Sequence, residues 1–165
     1  MRRLILLCIA LVALASCGSQ FGSYTGPKVT RIVVEKSERK MHLMHGPIKL
    51  RSYDVGLGFA PVGDKVQEGD GKTPEGVYYV DRRNPQSQFY LSLGISYPNE
   101  ADIAEAKALG VDPGGDIFIH GRPNGLAAAL RLAPDWTAGC IAVTNAEMDE
   151  LWRITQIGTE VVIRP

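Results

Sequence analysis

The sequence predicts a mainly β fold, a sandwich or barrel with short helices at its edges. Three observations predict it: the chain from Lys28 onward is mostly short runs of β-formers, glycine and proline punctuate those runs, and only two stretches carry helix start and stop signals. With 165 residues and an apolar content of 45%, the chain suffices for one domain with its own core.

The expected strands are "VTRIVVEKS" (29–37), "KMHLMH" (40–45), "IKLRSYDVGLG" (48–58), "GVYYVDRR" (76–83) and "QFYLSLGISYP" (88–98). Strands at this spacing, without intervening helices, favour a sandwich or barrel over βαβ units. "NEADIAEAKALG" (99–110) reads as a helix, because Asn99 is a capping residue, good helix formers follow and Gly110 stops it. In "DIFIHG" (116–121) a period of two puts Asp116, Phe118 and His120 on one strand face, and Ile117 and Ile119 on the other. Thr144 and Glu147 form a capping box, and Met148, Leu151 and Trp152 then fall on one helical face as a core stripe. "TEVVIRP" (159–165) ends the chain as a strand.

The opening "MRRLILLCIALVALASCGSQ" has a basic start, an apolar run from Leu4 to Ala15 and small residues before Cys17, the parts of a secretory signal. That run is shorter than the roughly 17 to 25 residues that span a bilayer. Leu14-Ala15-Ser16-Cys17 resembles a bacterial lipobox, which implies a signal peptide over 1–16, lipidation of Cys17, a flexible tether over 17–28 and a folded domain over 29–165. The expected location is the cell envelope, periplasmic and lipid-anchored. Formal charge is zero, and without Arg2 and Arg3 the balance is 16 basic against 18 acidic residues, a net of −2 that suggests no nucleic-acid partner.

Cysteine usage points to chemistry. Cys8 would leave with the signal and Cys17 would be capped by lipid, so Cys140 is the leftover thiol of an exported chain. Such a thiol is an intermolecular disulfide partner, a reactive nucleophile or an inert buried side chain. A neighbouring imidazole turns a thiol into a usable nucleophile by lowering its pKa, and His120 stands at the end of a strand just before Gly121. Gly139 lets a tight turn present the sulfur and aim backbone N–H groups at a carbonyl oxygen. That combination suits acyl transfer. His42 and His45 lie at i, i+3 on a strand and so point to opposite faces, which argues against a shared metal.

"IFIHGRPNG", eleven residues and then "TAGCIAV" (137–143) resemble the active-site signature of the YkuD-type L,D-transpeptidases. "EGDGKTPEGVYYV" (68–80) resembles a Gly-Asp-Gly-Lys-Thr-Pro-x-Gly hairpin of the same family. The resemblance implies a YkuD-like β-sandwich with two or three short helices packed at its edges, acting on peptidoglycan stem peptides without a cofactor or metal. It implies Cys140 as nucleophile, His120 as general base and later acid, and the Gly121 carbonyl as the group that orients the imidazole. The N–H groups of Gly139 and Cys140 would form the oxyanion hole. Thr137 would support the turn, and Arg122, Asn124, Trp136 and Thr137 are candidate substrate contacts.

Two positions depart from the family pattern: Ala142 stands where many members carry Arg, and Ala138 where His is common. These changes resemble a branch that includes hydrolases, so an L,D-hydrolase (carboxypeptidase or amidase) is the alternative within enzymes. A non-catalytic wall-binding lipoprotein is the alternative outside them. A wall-attached protein is a further candidate acceptor or substrate, and the membrane enters only through the lipid anchor.

Overall fold

In the computed structural model, the structure describes residues 24–129 and 132–165. Residues 1–16, Cys17 and the tether up to residue 23 lie outside the described residues. The strands are β1 (Arg31–Glu35), β2 (Lys40–His45), β3 (Ile48–Asp54), β4 (Gly76–Asn84), β5 (Ser92–Ile95), β6 (Phe118–His120), β7 (Ile141–Ala142) and β8 (Glu160–Arg164). Two helices, α1 (Glu100–Leu109) and α2 (Asn145–Ile154), and a 3-10 turn over Gly125–Ala129 complete the described fold. The mainly β architecture with short helices is the one the sequence predicts.

One sheet runs in the order β3-β2-β1-β8-β4-β5-β6-β7. β8 is parallel to β1, with Ile32 beside Val161 and Val34 beside Ile163, and antiparallel to β4. The nine-residue β4 links the two halves of the sheet: Gly76–Tyr79 pair with β8, whereas Val80–Asn84 pair with β5 across a register shift between Val80 and Arg82. A bulge bends a strand and increases its twist. Both halves therefore feed one core, in which Ile32, Leu43, Tyr78 and Val161 join Leu93, Ile119 and Ile141.

Both helix starts follow the sequence. Asn99 accepts from the N–H groups of Ala101 and Asp102 while the Asp102 carboxylate accepts from the Asn99 N–H, and Gly110 ends α1 at φ +71°. Thr144 and Glu147 cap α2 in the same reciprocal way, and Met148, Leu151 and Trp152 are buried as the expected stripe, joined by Ile154. Arg83 lies over the Trp152 ring at 4.1 Å and donates to the carbonyls of Trp152 and Thr155, closing the end of α2.

The strand expectations over 88–98 and 48–58 change. Of residues 88–98 only Ser92–Ile95 form β5, because Tyr90 takes φ +70° and turns the chain before it. The 48–58 run ends at Asp54, and the chain then bridges from Gly56 to Ala142 and from Gly58 to Thr137. β7, with which β6 pairs in parallel, is too short to show a period in the sequence.

Lys36 anchors the loop before β4. It is 2% exposed, and its Nζ donates to Gly63 O at 2.6 Å, Thr73 O at 2.8 Å and Glu75 Oε1 at 2.8 Å. Replacing Lys36 by Met keeps the apolar stem but leaves three acceptors without their donor. Urea unfolding of Lys36→Met is expected to show a loss of about 2–4 kcal/mol. A loss under about 1 kcal/mol would contradict this role.

Candidate active site

The turn that carries Cys140 is assembled from backbone contacts. Thr137 is buried, its Oγ1 donating to Cys140 O at 2.6 Å and accepting from the Gly139 N–H at 3.2 Å. Gly139 has φ +139°, and a Cβ there would lie 2.7 Å from Lys72 O and 3.2 Å from Ile117 Cδ1. Only glycine accommodates both the angle and the approach. The Lys72 loop belongs to the Gly-Asp-Gly-Lys-Thr-Pro run, and Asp70 organises it by accepting from the N–H groups of Val66 (2.9 Å), Gln67 (3.1 Å) and Lys72 (3.0 Å). The Lys65 Nζ is 3.0 Å from the same carboxylate. Burial pushes the Asp70 carboxyl up, but the N–H donors and the Lys65 ammonium outweigh it and hold its pKa below the ordinary value.

His120 ends β6 and is 3% exposed. Its Nδ1 lies 2.8 Å from Gly121 O, the contact that the resemblance implies. A carbonyl oxygen only accepts, so Nδ1 carries the hydrogen in the neutral ring and Nε2 holds the lone pair. Phe89 stacks on the imidazole with centroids 4.6 Å apart at 29°, and Trp136 meets it at 5.5 Å and 68°.

His120 and Cys140 line the same cleft, of about 310 Å³, together with Phe89, Ser92, Asp116 and Phe118. Asp116, Phe118 and His120 thus share one side, as the period of two predicts, while Ile117 and Ile119 enter the core. Asp116 has φ +55°, so β6 begins only at Phe118. The half-buried Cys140 donates its S–H to Asp116 O at 3.5 Å.

The resting electrostatics differ from a thiolate–imidazolium pair. Burial raises the Cys140 thiol pKa; the Phe118 N–H opposes this, the Asp116 carboxylate adds to it, and Lys65 and Arg82 offset part. Burial lowers the His120 pKa, with the Gly121 carbonyl pulling the other way. Both groups are therefore neutral near pH 7. The sequence expectation of an imidazole-lowered thiol pKa gives way because desolvation dominates at this site.

The four candidate contacts lie outside that cleft's lining. Thr137 is engaged within its turn, and the Asn124 amide accepts from Tyr90 N–H at 3.1 Å and donates to Ser87 O at 2.8 Å. Arg122 and Trp136 line a neighbouring cleft of about 240 Å³ with Ala142. Phe89, Ser92 and Asp116 line the cleft although sequence reasoning assigned them no role there. The strand period did place Asp116 with His120; Phe89 carried no signal, because it fell within an expected strand. His42 and His45 stand apart, His42 3.5 Å from Lys49 Nζ and His45 2.8 Å from Lys28 O.

A curled mainly β sheet with a histidine and a cysteine on one cleft defines a class of domain, and comparison with known proteins identifies the family. The family model "L,D-transpeptidase catalytic domain" (YkuD) matches residues 29–163, and the chain belongs to that family. It is similar to an Escherichia coli (strain K12) protein named "Putative L,D-transpeptidase YafK", 32% identical over 106 residues that cover 63% of this chain and 36% of that protein. Among solved structures it is similar to the helical cell shape determining protein Pgp2 from Campylobacter jejuni, with 28% identity and a TM-score of 0.66 over 92% of this chain and 53% of that one. Bd1075 from Bdellovibrio bacteriovorus shares the fold at 24% identity and a TM-score of 0.60, with 88% and 51% of the two chains covered. The chain thus spans about a third of the length of the first relative and about half of the other two.

The thiol's electrostatics give a direct test. Alkylation of Cys140 by iodoacetamide is expected to rise with pH and to reach half its maximal rate above pH 9, the ordinary thiol value from which burial raises it. A midpoint below about pH 8 would mean that a resting thiolate exists.

Proposed function

We propose that the protein is a cysteine-dependent L,D-transpeptidase acting on peptidoglycan stem peptides through an acyl-enzyme on Cys140. The observation that carries this reading is the single cleft shared by Cys140 and His120, with Nδ1 engaged by Gly121 O so that Nε2 is the available base. Membership of the L,D-transpeptidase family supports the substrate class.

Because thiol and imidazole both rest neutral, proton transfer accompanies attack. Nε2 of His120 takes the S–H proton as Sγ adds to the stem-peptide carbonyl carbon. The tetrahedral oxyanion is assigned to the Cys140 N–H, with the Gly139 N–H, now 3.2 Å from the Thr137 hydroxyl, as second donor. The same nitrogen then protonates the departing amine, leaving a thioester. An incoming amine gives up its proton to Nε2 and attacks the thioester, the C–S bond breaks as the new peptide bond forms, and Nε2 passes the proton to the leaving Sγ to restore the thiol.

Hydrolysis of the same thioester is the second reading. Ala142, buried beside Gly56, and the exposed Ala138 put no polar side chain next to the turn to receive an amine acceptor. On either reading the chain works in the periplasm, held to a membrane through lipid on Cys17; the signal-like residues 1–16 support this. Likeness to Pgp2, described as a helical cell shape determining protein, supports a role in cell shape as part of this proposal.

Purified protein incubated with muropeptides is expected to yield cross-linked dimers. Shortened monomers alone would leave only the hydrolase. Cys140→Ser is expected to stay folded and lose at least about 1,000-fold in turnover. A carbapenem is expected to add covalently to the intact protein at Cys140 by mass spectrometry, and retained turnover in the serine variant would remove the nucleophile assignment.

A further inference from the structure

We infer that Phe89, held in place by Asn124, is a positioning residue for His120: its ring fixes the plane of the imidazole and so the direction of the proton-accepting nitrogen. The inference rests on the acyl-transfer reading and adds the element that keeps its base aligned.

The bond from Nδ1 to Gly121 O restrains one point of the imidazole. It leaves the ring's tilt about that point open, and a flat contact closes that freedom. Phe89 supplies one at 4.6 Å and 29°. Trp136 touches both rings, at 5.5 Å from His120 and 5.7 Å from Phe89, so the three aromatic groups form a closed set.

Phe89 sits in no regular element, so something else must hold it. Asn124 brackets it: Oδ1 accepts from Tyr90 N–H at 3.1 Å, Nδ2 donates to Ser87 O at 2.8 Å, and the Asn124 N–H donates to Gln88 O at 3.0 Å. The Gly121 N–H donates to Phe89 O at 3.0 Å, tying the segment to the residue that also orients His120. Tyr90 has φ +70°, a left-handed conformation uncommon outside glycine, and its hydroxyl donates to Asp149 of α2 at 2.8 Å. These bonds hold a turn that local propensity would not hold, and that turn delivers Phe89 to the imidazole.

The titratable groups that share the cleft with His120 are Cys140 and Asp116. Ser92 of β5 and Ala142 of β7, opposite it in register, carry no charge, and the Tyr90 hydroxyl is directed to Asp149. Burial is what lowers the imidazole's pKa from 6.5, so removing the covering ring admits water and raises it again. The neutral, proton-accepting form is then lost at a higher pH, and the acid limb of turnover moves upward.

The experiment is an NMR titration of His120 in the full chain, beside kcat and KM against pH, for Phe89→Ala, Phe89→Tyr and Asn124→Ala. In Phe89→Ala and Asn124→Ala the midpoint is expected to rise toward 6.5, with kcat falling about 10- to 100-fold and KM moving less than about threefold. Phe89→Tyr keeps the ring and is expected to preserve both midpoint and kcat. An unchanged midpoint in Phe89→Ala, or in Asn124→Ala should the first variant not fold, overturns the inference even if the rate falls. Failure of the acyl-transfer reading is a separate result: wild-type protein without turnover, in which the imidazole titration still decides the role of Phe89.

Discussion

Backbone packed directly on backbone is the constraint on which the site depends. At Gly58 a Cβ would lie 2.1 Å from Gly71 O, and at Gly139 it would lie 2.7 Å from Lys72 O, so three chain segments meet with no side chain between them. The segment after β3 is bonded to the cysteine turn through Thr137 N to Leu57 O at 3.1 Å and Phe59 N to Thr137 O at 2.9 Å. The Gly-Asp-Gly-Lys-Thr-Pro loop backs the same turn from the other side. A methyl group at either glycine would push apart segments that have no room to give, and the sulfur would move with them. Placement of Cys140 thus follows from what is missing at neighbouring positions.

Loops packed this closely carry polar backbone groups that no strand ladder satisfies, and buried charged side chains complete them. Lys36 takes the carbonyls of Gly63 and Thr73, and Lys65, 4% exposed, takes that of Gln67 at 2.8 Å. The partly exposed Asp135, paired with Arg39, likewise accepts from the Leu57 N–H at 3.0 Å. Burying such charges costs desolvation, so each ion pair adds little net stability. Their effect is to define one loop conformation, and the Cys140 turn packed against those loops is held in one place by that definition.

The sequence made some parts legible and hid others for physical reasons. Helix caps were readable at Asn99, Gly110 and Thr144 because capping depends on neighbours within four residues. The sharing of a cleft by His120 and Cys140 was readable only through motif likeness, since their approach passes through a parallel pairing of β6 and β7 across 20 residues of chain. Phe89 was hidden because "QFYLSLGISYP" has an unbroken strand composition; the turn at Tyr90 is set by tertiary bonds to Asn124 and Asp149. The bonds of Asn124 to that turn were hidden for the same reason. The neutral state of the thiol was equally hidden, because burial outweighs the neighbouring groups in setting the direction of its pKa shift.

A neutral pair with one available lone pair constrains the order of the proposed reaction. Nδ1 is engaged by Gly121 O and Phe89 covers a ring face, which leaves Nε2 as the nitrogen that would move protons in the proposed reaction. One nitrogen cannot deprotonate the thiol and the second nucleophile at once. On the acyl-transfer reading it must first take the thiol proton, pass it to the departing amine and become free again before an acceptor can use it. Donor and acceptor therefore meet His120 in turn, with the thioester on Cys140 between them, and the acceptor, amine or water, is activated only after the departing amine has taken the first proton. On that reading, selection between transfer and hydrolysis is a matter of what reaches Nε2 in that interval, which assigns it to the walls of the cleft and not to the proposed pair of Cys140 and His120, common to both outcomes.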